Sequence, residues 1–150
     1  MPLFLTGEGQ LEGDDAVAAI LVQEDGRYVM QLRDPIARIF YPDHWGCFGG
    51  AVNEGESPLD ALHRELNEEL GVVIHAPQEF SRFDFDIKLW KKKVYRIYYE
   101  VRVAADFLSS VVLREGAEVR AFDGAELLQQ RVTPYDAFAI WLHFKHARFS

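Results

Sequence analysis

Residues 50–72 read GAVNEGESPLDALHRELNEELGV, and this stretch holds the clearest helix of the chain. Ser57 offers a hydroxyl to the first free amides, Pro58 suits the first helical position and Asp60 falls in the first turn. Leu59, Leu62, Leu66 and Leu70 form one apolar stripe, and Gly71 is a natural stop. At about 100° per residue, Glu65, Glu68 and Glu69 fall within an arc of roughly 100° beside that stripe. Glu65 is the i,i+3 and i,i+4 neighbour of the other two, where like charges repel by about a few tenths of a kcal/mol. All three lie in the C-terminal half, where the helix dipole disfavours negative charge. A helix that breaks two local rules at once is often serving function at some cost in stability. A hard divalent cation resolves the conflict, because clustered carboxylate oxygens are what Mg²⁺ or Mn²⁺ prefers. Taken alone, the glutamates fit a solvated acidic face balanced by His63 and Arg64 equally well.

On the N-terminal side, Ala16–Gln23 is an apolar, β-branched run that predicts a buried strand. Residues 24–27 supply a turn, and residues 28–33 predict a second strand that closes a hairpin. Residues 34–49 carry Pro35, Pro42, Gly46 and Gly49 and read as a long structured loop. Beyond the helix, residues 80–88 and 94–104 read as strands joined near Lys91, Lys92 and Lys93, whose charges can protect a hairpin tip. Glu118–Phe122 reads as a short last strand, followed by a helical turn over residues 125–130. Thr133 and Pro134 open a final helix to about Ala147, with Phe138, Trp141, Leu142 and Lys145 at helical spacing. Strands with helices between and after them imply a mixed sheet packed by helices, an α/β or α+β sandwich.

Composition bounds the rest. The 150 residues fit one domain, residues 1–150, and 49% hydrophobic with 27% charged residues excludes a largely disordered chain. The longest apolar run falls far short of the roughly 20 residues of a membrane span, and the N-terminus lacks the pattern of a signal peptide. The single cysteine, Cys47, cannot form an internal disulfide and fits a reducing, cytoplasmic setting. Twenty-four acidic against 16 basic residues give a net charge of −8, which disfavours a long nucleic acid as partner. A small anionic ligand remains compatible if a metal or a few local cations neutralise it.

The pattern Gly50-x5-Glu56-x7-Arg64-Glu65-Leu66-x-Glu68-Glu69-x-Gly71-Val72 is similar, at every specified position, to the Nudix box of the Nudix hydrolases. Seven of these positions demand one residue type. At frequencies of about one in fifteen, chance supplies such a match on the order of once in 10⁸ starts. The resemblance implies an α/β/α sandwich around a mixed sheet. It makes Glu65 and Glu69 principal ligands of Mg²⁺, with Mn²⁺ as a substitute, and Glu68 a further ligand or partner. Gly50 would lend its carbonyl to a metal, Arg64 would orient a catalytic carboxylate, and Glu56 would tie the loop to the helix. A late-loop glutamate often joins such a site; Glu115 is the first candidate and Glu118 the second. Either Glu65 or Glu115 would serve as the base toward water attacking a diphosphate bridge.

Substrate choice is less legible. Arg33 and Arg38 are candidate phosphate contacts and Phe48 a candidate stacking residue, while Trp45 and Phe48 read more readily as core. Phe48 stands where many relatives carry proline before the paired glycines, which leaves the substrate open. Cys47 lacks an apparent base and reads as a packing residue; His143 and His146 read as solvated or capping groups. The implied activity is cleavage of a nucleoside diphosphate linked to a group X. A nucleoside triphosphate, ordinary or oxidised, is favoured over a nucleotide sugar or ADP-ribose, and homodimers are common in such families. A sensor that binds a nucleotide without cleaving it is the alternative from another class. An isomerase of diphosphate esters is disfavoured for want of an added acid.

Overall fold

The computed structural model describes residues 14–34, 43–88, 91–114 and 116–149, the last three by their backbone alone. Seven strands form one mixed sheet: β1 (Ala16–Gln23), β2 (Tyr28–Leu32), β3 (Trp45–Gly46), β4 (Phe48–Ala51), β5 (Gln78–Ile87), β6 (Lys92–Val103) and β7 (Glu118–Phe122). The helices are α1 (Pro58–Leu70), the single turn α2 (Gly124–Leu127) and α3 (Pro134–Phe149). The strand order is β3-β2-β1-β6-β5, with β4 added on β1 and β7 on β2.

Strand β1 organises the sheet. It runs parallel to β6 over its full length, from the pair Ala16–Arg96 to the pair Gln23–Val103. Its other edge is divided. Ala16 to Ala19 pair with β4, whereas Leu21 and Val22 pair with β2. The sheet therefore forks along this edge, and β2 and β4 part from one another beyond it. Both faces of β1 are covered, which is why it reads as an unbroken apolar run. Val17, Ala19 and Leu21 face α1 with Leu62, Leu66 and Leu70; Ala18, Ile20 and Val22 face Ile140 and Leu127 on the other side. The two faces together make the α/β/α sandwich.

Helix α1 starts and stops as its sequence dictates. The Ser57 hydroxyl accepts a hydrogen bond from the Asp60 amide, and Gly71 ends the helix in the left-handed region at φ 67°. Three of its four leucines are buried, but Leu59, in the first turn, is 42% exposed. Residues 34–49, expected as loop, contain β3 and the start of β4. These strands are so short, and so rich in glycine, that their pattern is hidden. In α3 the inward face is Ala139, Ile140 and His143, while Phe138 and Trp141 are exposed. His143, expected to be solvated, is buried between the Tyr28 hydroxyl at 2.8 Å and the Glu100 carboxylate at 2.5 Å. Burial, then the Glu100 charge, pushes the Tyr28 phenol up to about 12. Among the described residues no helix is long and apolar enough to cross a membrane.

The fold makes a paired prediction on α1. Leu66→Ala is expected to cost about 2–5 kcal/mol, since Leu66 is fully buried. Leu59→Ala is expected to stay within about 0.5 kcal/mol. Equilibrium denaturation of both variants checks the orientation of the helix.

Candidate active site

The fork in the sheet opens as a cleft of about 610 Å³. Gln31, Arg33 and Asp34 line it from the end of β2, Gly49 and Gly50 from β4, and Glu65, Glu68 and Glu69 from α1. Arg114 and Gly116 close it from the segment before β7. The three glutamates are not a uniformly solvated face. Glu68 is 53% exposed at its side chain, Glu65 is 14% exposed, and Glu69 as a residue is 3% exposed. A buried carboxylate needs donors, and the Gly49 amide donates to Glu69 Oε2 at 3.2 Å.

The paired glycines permit this approach. Gly49 has φ 151°, and a Cβ there would overlap the Val17 carbonyl oxygen on the neighbouring strand. A Cβ on Gly50 would stand 2.6 Å from the Glu65 carboxyl carbon. A side chain at Gly49 would have to displace the β1 backbone, whereas one at Gly50 would have to displace the Glu65 carboxyl group.

Arg64 gathers the acidic groups. Its Nε and Nη2 donate to the two oxygens of Glu56, each at 2.9 Å, and Nη2 also donates to the Ala51 carbonyl at 3.0 Å. Its Nη1 donates to Glu65 Oε1 at 2.8 Å and to Glu68 Oε2 at 3.3 Å. The guanidinium thus ties the β4–α1 loop to the helix and fixes the rotamer of Glu65. These partners hold Arg64 protonated well beyond the ordinary guanidinium range, first through Glu56. The Arg64 bond, then the Asn53 amide, pulls the Glu56 carboxyl down from 4.5 to about 2.

Beneath the cleft, the peptide of Cys47 is held from both sides. Gln31 Nε2 donates to the Cys47 carbonyl at 3.2 Å, and the Cys47 amide donates to Asp136 Oδ2 at 3.0 Å. Asp136 is buried and also accepts from Thr133 Oγ1, Tyr98 Oη and Arg96 Nη2. This network anchors α3 to the strand that leads into Gly49 and Gly50. Burial, then the Asp136 charge, pushes the Cys47 thiol well up, so it is a neutral packing group rather than a nucleophile.

Most of the residues singled out in the sequence meet in this cleft. Gly50, Glu65, Glu68, Glu69 and Arg33 line it, with Arg64 and Glu56 directly behind them. Phe48 does not: it is fully buried in the core beside α1 and presents no surface to a ligand, because the alternation along β4 turns it inward. Arg38 and Glu115 lie outside the described residues. Glu118, the second candidate for a late-loop acid, is engaged by Arg120 on β7. Asp34, Gln31 and Arg114 are cleft residues that the sequence did not mark. Arg114 was adjacent to a flagged glutamate, but Gln31 and Asp34 carry no distinguishing signal.

All the donors grouped here are hard oxygens, which suits a divalent cation of the Mg²⁺ class. Among the described residues, no three acidic, histidine or cysteine side chains are already gathered at metal-holding spacing. The absence of a side chain at Gly50 lets its backbone come close to the Glu65 carboxylate.

The Glu56–Arg64 pair makes a pH prediction. A carboxyl held at about 2 stabilises the fold above its unfolded value of 4.5 and loses that contribution as pH falls toward 2. Wild type and Glu56→Gln are therefore expected to differ in stability by a constant amount above pH 4.5, and to converge below it. Urea denaturation across that range is the check; parallel acid limbs would show that the pair contributes nothing.

Comparison with known proteins matches this arrangement. The sequence profile of the NUDIX domain matches residues 13–147. Nucleoside triphosphatase NudI of Escherichia fergusonii is 37% identical over 87 residues, covering 52% of this chain and 60% of that protein. An RNA pyrophosphohydrolase of Nitratiruptor is 42% identical over 60 residues, covering 37% of this chain and 39% of that protein. The chain thus spans about three fifths or less of the length of these curated relatives. The crystal structure of the MutT protein from Methanosarcina mazei superposes with a TM-score of 0.71 at 25% identity, over 94% of this chain and all of that one. A profile match over nearly the whole chain, with the box residues gathered in one cleft, shows that this chain belongs to the Nudix family.

Proposed function

We propose that this chain is a Mg²⁺-dependent pyrophosphohydrolase that cleaves the diphosphate bridge of a nucleoside diphosphate linked to X, with a nucleoside triphosphate as the favoured substrate. The observation that carries the reading is the convergence of Glu65, Glu68 and Glu69 on one cleft that also holds Arg33. Related proteins named for triphosphatase and RNA pyrophosphohydrolase activity support the same chemistry.

The Gly50 carbonyl, Glu65, Glu68 and Glu69 would hold the cation. A bound divalent ion supplies charge neutralisation on phosphoryl oxygens and an acidified water. The protein's part is positioning. Arg64 holds Glu65 in one rotamer, so that a carboxylate faces the cleft where water must lose its proton. The Gly49 amide orients Glu69, and Arg33 brings a cation to the β2 wall for phosphate. Glu115, which follows the cleft residue Arg114, remains the second candidate for the base.

A substrate panel with Mg²⁺ tests the reading. It contains nucleoside triphosphates, oxidised triphosphates, 5′-triphosphorylated RNA, nucleotide sugars and ADP-ribose. Phosphate that appears only with added inorganic pyrophosphatase is the expected result and marks cleavage of a triphosphate to monophosphate and pyrophosphate. Phosphate that appears only with added alkaline phosphatase, from a substrate that resists that phosphatase alone, would move the substrate to a diphosphate-linked sugar. Silence across the panel, with tight nucleotide binding, would overturn the enzyme in favour of a sensor. Glu69→Gln is expected to lower kcat by more than about 100-fold while leaving the melting temperature within a few degrees. Near-normal turnover in that variant would remove Glu69 from the site.

A further inference from the structure

Helix α1 ends without a basic residue in its last turn, although its acidic residues crowd the negative end of the dipole. The missing cation comes from a distant loop. The main-chain amide of Arg114 donates to the Glu69 carbonyl at 2.9 Å, and that of Val112 to the Leu70 carbonyl at 3.0 Å. These two bonds satisfy orphan carbonyls of the helix and need no side chain. The Arg114 guanidinium lies over Gly71, with Nη2 3.1 Å from where a Cβ would stand. Gly71 therefore both ends the helix and leaves room for the arginine.

The guanidinium is loosely committed there. Its one hydrogen bond among the described residues runs from Nη1 to the Asn67 carbonyl, at a long 3.4 Å. Arg64, across the same site, makes five, and Arg114 has no carboxylate partner among the described residues. Arg114 is exposed, and it lines the cleft together with Arg33. Glu65, Glu68, Glu69 and Asp34 line the same cleft, and their negative charge repels a phosphate chain.

We infer that Arg114 is a substrate-binding cation that selects a free terminal phosphate, and so sets the preference of the cleft for triphosphates over diphosphates esterified at both ends. This rests on the pyrophosphohydrolase reading. An unesterified terminal phosphoryl group carries about −1.5 to −2 at neutral pH, whereas each phosphate esterified within a bridge carries about −1. The planar fork of an arginine matches two such terminal oxygens at once. Its weak bond to Asn67 is the one that is exchanged when phosphate enters.

Arg114→Gln tests this, since the amide can still donate to the Asn67 carbonyl while the charge is gone. Calorimetric titration with inorganic pyrophosphate and Mg²⁺ is expected to show binding to wild type and about tenfold weaker binding to the variant. For the triphosphates that wild type cleaves, KM is expected to rise by a similar factor with kcat within about twofold. KM for any cleaved nucleotide sugar is expected to stay within about twofold. Equal pyrophosphate binding by both proteins, or none by wild type, would overturn the inference, as would an equal KM rise on both substrate types. A wild type that cleaves nothing in the panel would instead defeat the underlying reading, whatever the titration gives.

Discussion

The approach of β4 to β1 and to the Glu65 carboxylate runs through two residues that have no side chain. Gly49 passes against the Val17 carbonyl, where a Cβ would meet backbone, and Gly50 against the Glu65 carboxyl, which a Cβ would displace. The close approach lets the Gly49 amide reach Glu69 and lets Arg64 reach the Ala51 carbonyl. Those bonds hold two carboxylates in a partly dry site, where they would otherwise drift to water. Charge, helix and strand are thus fixed by one steric allowance.

The rest of the architecture supports that contact from behind. The divided edge of β1 lets β2 and β4 part, and the cleft occupies the opening. Asp136 joins α3 to the Cys47 peptide just ahead of the paired glycines, and Gln31 holds the same peptide from the β2 side. The floor of the site is therefore tied to the two strands beside it and to the helix on the far face. The glutamates on α1 project from a rigid element over a rigid floor, the arrangement that ion binding at fixed geometry requires.

Much of this was legible before the fold was seen. Ser57, Pro58 and Gly71 announce α1, because capping chemistry is local. Ala16–Gln23 announces a strand covered on both faces, because nothing polar interrupts it. The clustered glutamates mark the site only together with the spacing of Gly50, Glu56, Arg64 and Gly71 around them, since alone they fit a solvated acidic face equally well. Phe48 read as core more readily than as a stacking residue, and the alternation along β4 does turn it into the core. What escaped depended on distant contacts. His143 seemed a surface residue because its partners, Tyr28 and Glu100, lie 115 and 43 positions away. Asp136 and Arg114 had no local signature, as their roles arise only where separate elements meet.

We propose that Glu65, Glu68 and Glu69 form a divalent-cation site at the Gly50 edge of the cleft. Titration with Mn²⁺, followed by the enhancement of water-proton relaxation, tests it without reference to any substrate. Wild type is expected to bind Mn²⁺, with Mg²⁺ displacing it, and Glu69→Gln to bind at least about tenfold more weakly. Equal Mn²⁺ affinity in wild type and in the Glu65→Gln and Glu69→Gln variants would contradict the account.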